Sequence, residues 1–224
     1  IGASEVLTNS AVELFVDADE YFTALRTEVE ATGKDGWICW IGFEGNGATP
    51  MPADPHLNKH PSAPIPWAAR PLPPRHMTGG DLSWMEVLTA ATSRGAELRV
   101  LLNLHPKPDN DPKKPKKYVQ ANFDLVAQLN RLPRTLAIND FRYVNVNGTH
   151  HQKLVVFANE RGLSAFVGTC DLESSRILER WCEVHAHVWG DAAQELQRVF
   201  ARRWAEHTSV FVRAGSQVSY LKPA

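Results

Sequence analysis

An α/β domain, built on a mixed β-sheet with helices on both faces, is the architecture the sequence predicts. Two observations carry that prediction. Apolar residues switch between a helical and a strand period along the chain. At 224 residues and 43% apolar content there is enough chain for one medium-sized core. No internal repeat and no linker divides residues 1–224, so a single domain is expected, interrupted by a proline-rich loop at about 45–80.

The elements follow in order. Segment 17–32 reads as a helix: acidic residues crowd its first turn, where the helix dipole favours them, and Phe22, Leu25 and Val29 fall on one face. Segment 36–43, GWICWIGF, is an apolar run with aromatic and β-branched residues, hence a buried strand. Nine of the fifteen prolines then lie between Pro50 and Pro74, which excludes regular structure for most of that stretch. A helix over 81–94 is expected next, with Asp81 as N-cap and Gly95 as its stop, followed by a strand at 97–104. Beyond a basic loop (Lys113, Lys114, Lys116, Lys117) comes a helix at 117–131. Strands are expected at 139–147, 152–158, 163–168 and 183–189, and a last helix at 191–207 with Asp191 placed to cap it.

Charge and cysteine usage narrow the function. The net charge of −1, from 24 Lys+Arg against 25 Asp+Glu, argues against binding nucleic acid through bulk charge. No run of 18 uncharged apolar residues offers a helical membrane span. Cys39, Cys170 and Cys182 form neither a disulfide framework nor a zinc pattern. The chain opens on Ile1 without a charged-then-apolar leader, as a mature form or a piece of a longer protein would. Localisation stays open between a soluble and a peripheral protein, secreted or delivered forms included.

The informative stretch is 149–172, THHQKLVVFANERGLSAFVGTCDL. Side chains alternate along a strand, so His151 and Lys153 project from one face. An imidazole beside an ammonium makes a phosphate site. The lysine neutralises non-bridging oxygens, and a neutral histidine nitrogen attacks phosphorus or passes a proton. An isolated H-x-K is common, and its ordinary reading is an exposed polar strand face.

Context singles this one out. HHQK followed by an apolar strand, a turn and AFVGTCDL resembles the phospholipase D superfamily, whose signature is H-x-K-x-x-x-x-D followed by G-G/S-x-N/D. RWCEVHAHVWGDAAQELQRVFARRW resembles the strand and helix that follow that motif. The helix at 17–32, the strand at 36–43 and SRGAELRVLLN resemble the first, N-terminal half of a two-motif enzyme. The resemblance implies a phospholipase D-like half-unit whose catalytic pair is His151 and Lys153. Gly168, Thr169 and Asp171 fall on the glycine-turn element, with Thr169 and Asp171 as phosphate-binding residues. It also implies a phosphodiesterase (EC 3.1.4 type) that hydrolyses or transfers the phosphatidyl group of a phospholipid through a phosphohistidine, with no metal and no cofactor.

Two departures matter. The motif's aspartate position holds Ala158, so a carboxylate from Glu160 or Asp171 is the candidate substitute. Apart from His105-Pro106-Lys107, which lacks the motif's flanking segments, the chain carries one H-x-K, whereas an active site of this family takes two. A second half is therefore expected as partner: a C-terminal half on another chain or in a missing segment, which is favoured, or a second copy of this chain. A nuclease acting as a homodimer is the alternative enzyme reading, and a catalytically dead binding half, suggested by Ala158, is the third.

Other candidates weigh less. His150 alternates away from His151, with a core role as likely as a direct one. His185 and His187 share a strand face, and a structural use outweighs a metal site. His56 and His60 are four apart but flanked by Pro55 and Pro61, which prevents a useful helix. Trp37 and Trp40 belong to a buried strand, leaving Trp67 as the membrane-facing aromatic. The lysine run reads as a solvated loop, although about 1 kcal/mol per charge at an anionic surface would allow peripheral membrane contact. Cys170 reads as packing. No obligatory nucleic acid partner is implied.

Overall fold

A computed structural model describes residues 9–16, 18–51, 81–103, 117–140, 150–173, 176 and 183–212. The core of the proline-rich loop (52–80, with His56, His60 and Trp67), the lysines at 113, 114 and 116, residues 141–149, and Cys182 lie outside them.

Seven strands form one mixed sheet in the order β1-β9-β8-β7-β2-β5-β6. They are β1 (Ser10–Val16), β2 (Trp37–Gly42), β5 (Glu97–Asn103), β6 (Thr135–Asp140), β7 (Leu154–Asn159), β8 (Gly162–Gly168) and β9 (Val184–Gly190). A separate ribbon pairs β3 (Pro50–Met51) with β4 (Leu82–Ser83). The helices are α1 (Ala18–Ala31), α2 (Trp84–Ser93), α3 (Lys117–Leu129) and α4 (Asp191–Val212). Strands β2, β5 and β6 run parallel, while β7, β8, β9 and β1 continue from β2 antiparallel.

Alternation along the strands sorts the core into two layers, as a sheet covered on both faces requires. Ile38, Trp40, Leu98, Val100, Val155 and Phe157 face Phe22, Leu25 and Val29 of α1, Trp84 and Leu88 of α2, and Leu125 and Leu129 of α3. Cys39, Ile41, Leu101, Leu154, Val156 and Ala165 face Phe200 and Trp204 of α4. Strand β2 lies inside the sheet between β7 and β5 with helices over both faces, so its sequence reads as a continuous apolar run.

Most expected elements are present, with four corrections. Strand β1 was not foreseen. Helix α2 is capped by Ser83 rather than Asp81: the Ser83 hydroxyl accepts from the Glu86 amide at 3.3 Å, and the Glu86 carboxylate accepts from the Ser83 amide at 2.7 Å. Gly95, at φ +102°, follows its end as expected. Strand β6 starts at Thr135, earlier than expected, and 141–147 of the expected strand is not described. Asp191 is the first residue of α4 rather than its cap. Its own amide donates to the Asn9 carbonyl at 3.1 Å, and the next amide, of Ala192, donates to the Ser10 hydroxyl at 3.0 Å. Among the described residues no helix is long and apolar enough to cross a membrane.

His185 and His187 are buried in the α1 face and stacked on aromatic rings. His185 lies on Tyr21 at 3.7 Å and His187 on Phe166 at 3.8 Å between centroids. Among the described residues no group of three possible metal ligands forms there. Burial pushes His185 down to about 4 and His187 to about 3. The fold thus holds both rings neutral, while the unfolded chain protonates them near 6.5. The unfolded state therefore binds more protons as pH falls below 6.5, and stability should drop by up to about 1.4 kcal/mol per pH unit for each ring. Thermal unfolding between pH 7 and 4 checks this: His187→Leu should flatten the acid decline, and equal slopes for variant and parent would contradict it.

Candidate active site

The site lies where β2, β5 and β6 end, β7 and β9 begin, and β8 terminates. His151 and Lys153 sit on the extended lead-in to β7, just before Leu154, not within the strand. Alternation nevertheless holds. His150 is buried, His151 is exposed, and the Lys153 ammonium lies 2.8 Å from His151 Nε2. An ammonium only donates, so Nε2 accepts this hydrogen bond with its lone pair and is the unprotonated ring nitrogen. The Phe43 ring packs edge-on against the imidazole, with centroids 4.5 Å apart, and the ammonium sits 5.1 Å from the same ring.

Lys153 is only 5% exposed, and a buried cation needs a counter-charge. Asp171 supplies it: Oδ2 lies 3.4 Å from Lys153 Nζ, and Oδ1 accepts from the Glu44 amide at 3.0 Å. The same Oδ2 is 3.5 Å from Arg176, whose guanidinium also reaches Glu44 at 3.8 Å and Glu183 at 3.9 Å. Two cations and three carboxylates thus surround one exposed imidazole.

Gly168 lets this assembly close. A Cβ there would stand 2.3 Å from the Val184 carbonyl and 2.6 Å from the His185 ring, so only glycine brings the end of β8 this near β9. Beyond it the chain turns and delivers Asp171 into the site. The Thr169 hydroxyl donates to Glu183 and accepts from the Val184 amide at 3.0 Å. It faces Glu183 and not Lys153.

Loss of water around the ring, and then the Lys153 ammonium, lower the pKa of His151, with Asp171 opposing. Burial lowers Lys153 while Asp171 holds it up, and burial followed by repulsion from Asp171 raises Glu44. The site therefore holds a neutral imidazole beside a buried cation, the combination a nucleophilic or proton-transferring histidine needs.

His151, Lys153 and Asp171 are brought together as the sequence suggested, and Thr169 borders them through Glu183. Of the two candidate replacements for the motif aspartate, Asp171 reaches Lys153, whereas Glu160 is exposed beyond the far end of β7. Ala158 is also near that far end, five residues or about 16 Å along an extended chain from Lys153, so no side chain there could touch a group bound at His151. Sequence reasoning missed Phe43, Glu44, Arg176 and Glu183, which belong to no motif. Cys170 is inert packing: its amide donates to His185 Nε2 at 2.8 Å, and burial pushes its thiol up.

No protein-family model and no curated protein matches the chain. Solved structures do. NucT from Helicobacter pylori matches at 10% identity and a TM-score of 0.51, over 86% of this chain and 94% of that one. A phospholipase D family member, Nuc from Salmonella typhimurium, matches at 10% identity and 0.48, over 88% and 95%. Polyphosphate kinase from Porphyromonas gingivalis matches at 13% identity and 0.50, over 85% of this chain and 25% of that one. At such identities the likeness is one of fold, a mixed α/β unit of this kind.

If Asp171 holds the two cations in place, Asp171→Ala should cost about 3–5 kcal/mol of unfolding free energy, the usual result of leaving buried charge uncompensated. Asp171→Asn should cost less, because an amide oxygen still accepts. Denaturant titration measures both, and an Asp171→Ala protein within about 1 kcal/mol of the parent would show that the pairing is not needed.

Proposed function

We propose that this chain is one half of a phosphodiesterase of the phospholipase D type, acting on the phosphatidyl group of a phospholipid. The observation that carries the proposal is the buried Lys153 ammonium, held against both His151 Nε2 and Asp171 Oδ2. As phosphate binds, the Lys153 N–H moves from His151 Nε2 to a non-bridging oxygen; Nε2 then attacks phosphorus, the P–N bond forms as the P–O bond to the alcohol breaks, and a second imidazole protonates that alcohol. Water or another alcohol then attacks the phosphohistidine, releases the product and frees His151. Lys153 offsets the charge that develops on the non-bridging oxygens. Asp171, being an acceptor, orients Lys153 and Arg176 and does not contact phosphate itself. Thr169 fixes Glu183 at the rim.

Two features support a lipid over a nucleic acid. The HHQK and AFVG segments resemble the lipases, and an apolar strip borders the site. Val12, Leu14 and Val16 of β1 and Val184 of β9 share one face, are 46–59% exposed, and end at the residue after Glu183. Acyl chains or a membrane surface suit such a strip. The reading as a dead binding half rests on Ala158, where a side chain would not reach a group bound at His151; absence of turnover with a partner half present would favour it.

The described residues provide one H-x-K, and His105-Pro106-Lys107, which lies outside them, lacks the motif's flanks; on this reading the second imidazole comes from a partner half or a second copy. His151→Ala should abolish an acid-labile phosphoenzyme, and Lys153→Ala should slow its formation by about 10²–10³. Because its pKa is lowered, His151 stays neutral to below pH 6.5, and single-turnover rates should hold constant further into acid than an unperturbed histidine allows. Incubation with phosphatidylcholine, phosphatidylethanolamine and single-stranded DNA decides the substrate: choline or ethanolamine release without DNA cleavage is expected. DNA cleavage alone would transfer the proposal to a nuclease. A steep dependence of turnover on protein concentration indicates a second copy, whereas robust turnover by a proven monomer overturns the half-site account.

A further inference from the structure

We propose that His150 is the positioning residue for His151, anchoring it to the C-terminal ends of β2, β5 and β6. His150 is 4% exposed and is held at three points. Its main-chain amide donates to Asn103 Oδ1 at 3.2 Å, at the last residue of β5. Its Nδ1 lies 3.0 Å from Asp140 Oδ2, at the last residue of β6. Its Nε2 lies 3.1 Å from the carbonyl of Gly42, the last residue of β2. Asn103 and Asp140 are themselves buried.

The anchoring reaches His151 by two routes. Only ψ of residue 150 and φ of residue 151 separate the fixed side chain from the reactive one, so pinning His150 aims His151 outward. The second route passes through Asn122 of α3. Its Nδ2 donates to the Asn103 carbonyl at 2.7 Å and to the Phe43 carbonyl at 3.0 Å, and its Oδ1 accepts from Gly45 at 3.3 Å. The network that grips His150 therefore also places the Phe43 ring against His151.

A proton inventory makes the arrangement specific. The Gly42 carbonyl can only accept, so Nε2 donates to it. The opposite nitrogen faces a carboxylate oxygen, and ring and carboxyl share one proton along that line. A buried pair of this kind is weak evidence for stability, since apolar residues of similar size would fill the space at no desolvation cost. Its value here lies in geometry, because three hydrogen bonds to three different strands admit one placement of residue 150.

The kinetic arm of the test rests on the proposed function, and a spectroscopic arm does not. In the full chain, His150→Gln can reach only one of the two acceptors. It should lower kcat on bis(p-nitrophenyl) phosphate about 10²-fold, as a displaced reacting group does, with KM little changed. The His151 ring resonances and titration, which report Lys153, Asp171, Arg176 and Phe43 around it, should shift with it. Asp140→Asn is the conservative rescue, since its amide can donate to Nδ1 and keep the geometry, and most of kcat should survive. If His150→Gln does not fold by near-ultraviolet circular dichroism, Asp140→Asn/His150→Gln leaves no buried carboxylate unpaired and carries the same reading. A purely structural role would lower the melting temperature while leaving kcat per folded molecule and the His151 titration at parent values, and that result overturns the proposal. If the parent chain alone cleaves no diester, as a half without its partner would not, the His151 resonances decide, and unchanged resonances in the variant overturn positioning.

Discussion

The buried ammonium of Lys153 constrains everything around it. A cation removed from water at this depth is tolerable only with a counter-charge close by, and Asp171 is that charge. Bringing Asp171 there requires the chain after β8 to cross to the end of β2. Three contacts fasten it: the Asn46 amide donates to the Leu172 carbonyl at 2.9 Å, the Thr49 hydroxyl donates to the same carbonyl at 3.1 Å, and Gly45 and Leu172 form a parallel bridge. One electrostatic requirement thus sews the segment entering the proline-rich loop onto the glycine turn. Phe43 and Glu44 become part of the site as a consequence.

Strand direction explains why the reactive groups share one end of the sheet. β2, β5 and β6 are parallel, so their last residues, Gly42, Asn103 and Asp140, lie together. β7 runs against β2, so its beginning meets their ends and carries His150, His151 and Lys153 to that edge. β8 runs back and finishes there at Gly168, and β9 starts there after Glu183. In sheets with parallel strands, ligands collect beyond the carboxyl ends. Here the antiparallel half supplies His151 and Lys153 and the parallel half the buried polar platform, divided at β2 and β7.

Legibility in the sequence followed the range of the interactions. The strands β2, β5, β7, β8 and β9 and the helices could be read because their own periodicity reports their burial. The His151–Lys153 pair could be read because the two residues lie two apart on an extended chain. Strand β1 could not: it is an edge, its apolar side chains are mostly exposed, and its partner β9 lies near the other end of the chain. The start of β6 was missed because the aromatic and β-branched run after Asp140 gave a stronger local signal than TLAIND. The caps of α2 and α4 turned on offsets of one or two residues that composition does not resolve. Phe43, Glu44, Arg176 and Glu183 reach His151 and Lys153 only through tertiary pairing, and no spacing rule connects them.

The choice of lysine at position 153 follows from donor geometry. An ammonium presents three N–H groups tetrahedrally, and here one is directed at His151 Nε2 and one at Asp171 Oδ2. On the proposed mechanism the third would meet an oxygen held in front of the imidazole. An arginine would place its donors in one plane, suited to a fork on Asp171, and could not face an imidazole, a carboxylate and a phosphate oxygen from one point. Arg176 takes the other role, spanning Glu44, Asp171 and Glu183 within 4 Å and keeping three carboxylates from repelling one another. The two cations are therefore not interchangeable. Arg176 holds the acidic frame together, and within that frame Lys153 can be buried and charged.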